Sequence, residues 1–102
     1  MRLIGREVLA RGLRKHPEVR QWLAAWTITV EDVDWSNLND VRHDYPSADG
    51  VRLRSGVTVT VFNVKGNKFR LLANINYSAA FVQVLRLLTH AEYNKEQWKR
   101  WY

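Results

Sequence analysis

Cysteine is absent from this chain, so neither a disulfide framework nor a thiolate metal site can form. Histidine is scarce: His16, His43 and His90 stand far apart without zinc-ligand spacing, and no metal is expected. There is no Gly-rich phosphate loop and no G-x-S-x-G elbow, so no cofactor is expected either. No run of about 18 apolar residues occurs, which leaves nothing to span a membrane. Charge arrives too early in Met1-Arg2-Leu3-Ile4-Gly5-Arg6 for a signal-peptide apolar region, and a cytoplasmic location is expected. What remains is 102 residues, 46% hydrophobic and 12% aromatic, enough to exclude disorder and to build one domain over residues 1–102.

Positive charge is abundant. The net charge of +6 divides into +4 over residues 1–30, −5 over 31–49 and +7 over 50–102. A basic excess packed into the C-terminal half points to a polyanionic partner, of which nucleic acid is the commonest. The acidic block of Glu31, Asp32, Asp34, Asp40, Asp44 and Asp49 lacks a calcium-loop pattern and reads as a solvated face.

Hydrophobic spacing divides the chain in two. Met1 to Ile4 suits a short strand, and Arg6 to Lys15 a helix stopped by Pro17, which can open the next one. Val19, Trp22, Leu23, Trp26 and Val30 follow the pattern of a buried helical stripe, so the two tryptophans are expected in the core. Ser36 is the expected N-cap of a third helix with Leu38, Val41 and Tyr45 inward. After Gly56 the period changes to two. Strands are expected over Val57 to Val64, Lys68 to Tyr77 and Phe81 to Thr89, with an edge strand near Val51 to Arg54 and a terminal helix from Asn94 onward. The fold class is α+β, an antiparallel meander following N-terminal helices.

A two-residue turn within Lys65-Gly66-Asn67 would sort the hairpin into two faces. Phe62, Val64, Phe69, Leu71, Ala73 and Ile75 share one and must cover a core. Asn63, Lys65, Lys68, Arg70, Asn74 and Asn76 share the other, with Val59, Val61 and Leu72 lower down. Such a face is either simply wet or a phosphate-binding surface, with Arg70 able to clamp a phosphate in bidentate fashion. Asn67 would serve base contacts or the turn's positive-φ position. His90, Glu92 and Tyr93 follow the last strand, where they can move protons or, in the case of Glu92, bias a helix start.

Two of these segments carry a resemblance. Val61-Phe62-Asn63-Val64-Lys65-Gly66-Asn67-Lys68-Phe69-Arg70-Leu71, then Thr89-His90-Ala91-Glu92-Tyr93-Asn94-Lys95, resemble the HigB family of toxins within the RelE/ParE superfamily of toxin–antitoxin systems. The likeness extends over nearly the whole chain, with Asn94 standing where many relatives have aspartate. It implies a RelE-like domain with endoribonuclease activity on mRNA, typically on translating ribosomes, and a helix-turn-helix antitoxin of the HigA kind as partner. On that basis His90, Arg70, Lys68 and Tyr93 are the candidate catalytic residues. Asn63, Lys65, Asn67 and Asn74 are candidate RNA contacts. Metal-independent cleavage needs a base for the 2′-OH, charge on the phosphoryl oxygens and an acid for the 5′-oxygen, and these residues supply all three. The competing reading is a toxin of the same fold that blocks a protein target, or a module that binds RNA without cutting it.

Overall fold

The change of hydrophobic period near Gly56 separates the observed elements too, with the three longest helices before it and the three longest strands after it. The computed structural model describes all residues from Met1 to Tyr102. In chain order the elements are β1 (Arg2–Ile4), α1 (Arg6–Lys15), α2 (Arg20–Asp32), α3 (Leu38–Asp44), β2 (Asp49–Arg52), β3 (Thr58–Val64), β4 (Phe69–Asn76), β5 (Phe81–Thr89) and α4 (His90–Asn94). The strands form one sheet in the order β1-β5-β4-β3-β2, with β1 parallel to β5 and every other pair antiparallel. This is the α+β arrangement that the pattern implied and is consistent with the RelE-like domain that the resemblance implied. No helix is long and apolar enough to cross a membrane.

Gly5 turns the chain from β1 into α1 with φ +92°, and a Cβ there would meet the Val84 carbonyl oxygen at 2.8 Å. Only glycine serves that corner. Pro17 cannot continue α1 and opens a 3-10 turn, Pro17–Val19, that feeds α2. The α2 stripe is buried as expected: Val19, Leu23, Trp26 and Val30 are inside, and Trp22 stacks on Trp26. At α3 the cap is Asn37 rather than Ser36, because its Oδ1 accepts from Asp40 N at 3.1 Å. Ser36 sits one residue outside and instead donates its backbone N–H to Asp40 Oδ2 at 2.8 Å.

The main core lies between α1, α2 and the inner face of the sheet, where Phe62, Val64, Phe69, Leu71, Ala73, Val82 and Val84 meet Leu9, Leu23, Trp26, Val30 and Trp35. Each large side chain fully buried there contributes roughly 1.5–3 kcal/mol before conformational entropy is counted.

The hairpin departs from expectation in loop length but not in its faces. Val64 pairs with Phe69 and Asn63 with Arg70, so Lys65 to Lys68 form a four-residue connection rather than a two-residue turn. Both lengths are even, so the same residues share each face. Lys68 consequently belongs to the turn, not to β4. The positive-φ positions are Lys65 (φ 51°) and Gly66 (φ 67°), not Asn67.

The outer face is far from simply wet. Val59, Val61 and Leu72 join Leu53, Leu88 and Trp98 in a second small core. The expected terminal helix from Asn94 is replaced by two short pieces. The first is α4, which ends at Asn94; the second is a 3-10 turn, Gln97–Arg100. Glu96, at φ 60°, makes the break between them and swings Trp98 down onto the sheet, where it is 1% exposed. A β-bulge contributes as well. Leu72 pairs with Arg86 and Ala73 with Val84, leaving Leu85 unpaired to pack against this outer core.

Candidate active site around Arg70 and His90

The second core ends where β4 meets the hairpin turn, and there the sheet buries a charge. Arg70 is 8% exposed and faces outward beside Leu88. Its Nη1 donates to the carbonyl oxygens of Asn67 and Phe69, both at 3.1 Å, and Nη2 to Asn67 Oδ1 at 3.5 Å. Its guanidinium lies 5.4 Å from the centre of the Tyr93 ring. The molecule's ion pairs are Arg6–Glu31, Arg42–Asp49 and Lys99–Glu96, so Arg70 has no carboxylate partner. A cation taken out of water with only neutral acceptors around it is costly unless an anion completes its shell.

His90 supplies the remaining contact, and the contact fixes its tautomer. Arg70 Nη2 lies 3.2 Å from His90 Nδ1. Arginine can only donate, so Nδ1 must accept, and a neutral ring then carries its proton on Nε2. The side-chain Nδ2 of Asn94 is 2.9 Å from Nε2. Two donors cannot bond, so with the proton on Nε2 the amide must turn over to present its oxygen there. Arg70, His90 and Asn94 therefore form a chain in which Nδ1 holds a lone pair on the side of the guanidinium.

Local structure places these groups. The Thr89 hydroxyl accepts from Glu92 N at 3.1 Å, and Glu92 Oε1 accepts from Thr89 N at 2.9 Å, a capping box that starts α4 at His90. The Thr89 backbone N–H, offsetting a smaller effect of burial, holds the Glu92 carboxyl below its ordinary value of 4.5. Glu92 is thus a cap that serves α4, in keeping with the helix-start role open to it. His90 N donates to Lys68 O at 2.9 Å, which ties α4 to the hairpin turn. Tyr93 stacks on Trp98 with ring centres 5.3 Å apart. Burial, with a smaller contribution from Asp49, pushes the Tyr93 hydroxyl above its ordinary value of 10.0 against the opposing pull of Arg70. The phenol therefore keeps its proton at neutral pH.

The structure brings Arg70, His90, Tyr93, Asn63 and Asn67 into one cluster, Asn63 Nδ2 reaching Asn67 Oδ1 at 3.4 Å. Lys65 and Lys68 stand exposed on the turn beside it. Asn74 does not join them. It lies four residues further along β4, about 13 Å away at strand spacing, in a groove with Ser36, Asn76 and Tyr77. Asn94 was visible in the sequence only as a substitution for aspartate. Its i, i+4 spacing from His90 on a helix is the signal that relates the two.

Comparison with known proteins identifies the family. The family model for HigB toxin, the RelE-like toxic component of a toxin–antitoxin system, matches residues 19–96. The mRNA interferase HigB of Escherichia coli O6:H1 (strain CFT073) is 27% identical over 95 residues, covering 93% of this chain and 90% of that protein. The matched span runs from the α2 stripe through the hairpin, the capped His90 and the Glu96 break, so the chain belongs to the HigB family of RelE-like toxins, the toxic components of toxin–antitoxin systems.

Proposed function

We propose that this toxin is an endoribonuclease, an mRNA interferase, whose scissile phosphate binds at Arg70. The observation that carries the reading is the buried Arg70 guanidinium with no carboxylate within ion-pair distance. The name of the Escherichia coli relative, mRNA interferase, supports the same reading.

In the proposed reaction, phosphate oxygens take Nη2 of Arg70 away from His90 Nδ1 and free its lone pair. That nitrogen removes the 2′-OH proton while the 2′-oxygen forms its bond to phosphorus in line. The bond from phosphorus to the 5′-oxygen breaks, and Tyr93, held protonated, donates to the departing oxygen. Arg70 carries the charge that builds on the non-bridging oxygens, and Lys68, exposed on the turn, adds a second positive charge. The products are a 2′,3′-cyclic phosphate and a 5′-hydroxyl. No metal takes part. Lys65, Asn63 and Asn67 hold the nucleotides beside the scissile bond. Asn74 meets the strand further along the sheet and has no part in the bond-breaking step.

The partners proposed are mRNA on translating ribosomes in the cytoplasm, and a helix-turn-helix antitoxin of the HigA kind that neutralises the toxin. Mapping cleavage of a defined mRNA with and without translating ribosomes tests the reading. Cuts that Arg70→Ala abolishes support it, and cuts confined to the ribosome arm establish ribosome dependence. Growth arrest by both proteins with no cut in either arm overturns it.

A further inference from the structure

Away from Arg70 the edge of the sheet carries a second concentration of positive charge. Arg52 at the end of β2 and Arg54 in the following turn face Lys99, Arg100 and Tyr102 of the C-terminal segment across an open cleft of about 600 Å³. No acidic side chain lines it. Of its four cations only Lys99 has a carboxylate partner, Glu96 at 3.0 Å; Arg52, Arg54 and Arg100 have none. Charges on an edge strand also guard against strand pairing, but Arg54, Lys99 and Arg100 lie off β2.

The cleft lies near the catalytic cluster, on the other side of a ring stack in which Trp98 is buried and Tyr93 is partly exposed. Lys99 Nζ lies 5.8 Å from the centre of the Trp98 ring, Trp98 stacks on Tyr93 at 5.3 Å, and Arg70 is 5.4 Å from the Tyr93 centre. A single strand seated on Arg70 can leave the site over Tyr93 and enter the cleft, where unpaired guanidinium groups match phosphate geometry.

We propose that the cleft formed by Arg52, Arg54, Lys99 and Arg100 is a second phosphate-binding subsite, which holds the backbone of the substrate RNA to one side of the scissile bond. This rests on the reading of Arg70 as the RNA-cutting site. The subsite acts on affinity and leaves the bond-breaking step untouched. The cations are exposed, so their removal leaves the fold intact.

The test compares the native protein with the Arg52→Ala/Arg54→Ala double variant and with Arg100→Ala. Binding of a long single-stranded RNA is measured by fluorescence anisotropy over a range of salt, and kcat at saturating substrate is measured in parallel on a defined mRNA carried by translating ribosomes. The double variant is expected to bind the long RNA on the order of tenfold more weakly at low salt, with a salt slope lower by about 1.4, the value for two lost single-strand phosphate contacts. Arg100→Ala is expected to lower the slope by about 0.7, and kcat stays unchanged in both. Slopes and affinities equal to native overturn the proposal, as does a loss seen only with ribosomes or only with the antitoxin. Arg70→Ala is the control: its cleavage reports on the catalytic reading alone, while the binding slopes report on the cleft whether or not any RNA is cut.

Discussion

Arg70 and His90 are 20 residues apart in sequence and meet at 3.2 Å, a donor-only guanidinium against the lone pair of an imidazole nitrogen. Neither group neutralises the other. The pair stays one negative charge short, and in the proposed reaction an RNA phosphate supplies that charge while it releases His90 to act as a base. The arrangement depends on two hydrogen-bonded ties: the Asn67 and Phe69 carbonyls on the guanidinium, and Asn94 on the far nitrogen of the ring.

Arg70→Lys is therefore expected to be nearly as damaging as Arg70→Ala. A lysine gives a point charge and cannot serve the carbonyls and a phosphate together. Both variants are expected to lower kcat by on the order of 10²- to 10³-fold, as for a lost donor to transition-state charge. Single-turnover cleavage with saturating protein checks this, and full activity of the lysine variant would remove the bidentate role.

Asn94 is a positioning residue for His90. Asn94→Ala leaves the Nε2 proton without its acceptor and lets the ring turn, so kcat is expected to fall roughly 10- to 100-fold with KM little changed. Asn94→Asp retains an acceptor oxygen and is expected to stay close to native. A pH–rate profile for the three proteins separates this role from a structural one. Equal activity of the alanine variant would show that Asn94 positions nothing.

In the proposed reaction Tyr93 acts through the proton it keeps. Burial raises its value above 10.0, so the phenol remains an acid throughout the neutral range and loses that capacity only in strong alkali. Tyr93→Phe keeps the stacking on Trp98 and removes the proton, and a fall in kcat of on the order of 10²-fold is expected without loss of RNA binding. An unchanged kcat would assign the proton donor elsewhere.

Stability depends on pH through the α4 cap. Glu92 titrates below 4.5 in the folded chain because the Thr89 N–H favours its charged form. Its contribution is present above that ordinary value and is lost as the pH falls through the lowered one. Thr89→Ala is expected to cost about 1 kcal/mol at neutral pH, as for a lost N-cap. Glu92→Gln, which keeps the acceptor without the charge, is expected to flatten the acid side of the stability curve. Urea titrations between acid and neutral pH read both effects.

Trp98 anchors the outer core, and Trp98→Ala is expected to destabilise the fold by about 3–5 kcal/mol, as for other buried tryptophans cut to alanine. The same change releases Tyr93 from its stacking partner, so cleavage is expected to fall even at a temperature where the variant remains folded. Thermal unfolding together with activity below the transition distinguishes the two losses.

Much of this was legible in the sequence, for identifiable reasons. The α2 stripe, the hairpin faces and β5 follow from apolar spacing alone, because burial on one side imposes period 3.6 or 2 whatever the loops do. The joining of Arg70 with His90 was implied by family motifs, but the geometry needed the β4–β5 pairing of Arg70 with Leu88, a long-range register. The outer core was missed because Trp98 reads as part of a terminal helix until Glu96 breaks it with positive φ, and no local propensity demands that break at a glutamate. The Asn37 cap was missed by one position, where Ser36 and Asn37 are both good cap residues and Asp40 selects between them.

The most direct test of the central claim is the chemistry of the cut ends. A defined mRNA is cleaved on translating ribosomes, and the fragment ends are identified by mass spectrometry for the native protein, His90→Ala and Arg70→Ala. Native fragments ending in 2′,3′-cyclic phosphate or its 3′-phosphate product, with 5′-hydroxyl ends opposite them and both variants inactive, are the expected result. Fragments ending in 3′-hydroxyl with 5′-phosphate ends opposite them, or cleavage that persists in either variant, would contradict the assignment of Arg70 and His90 as the groups that cut RNA.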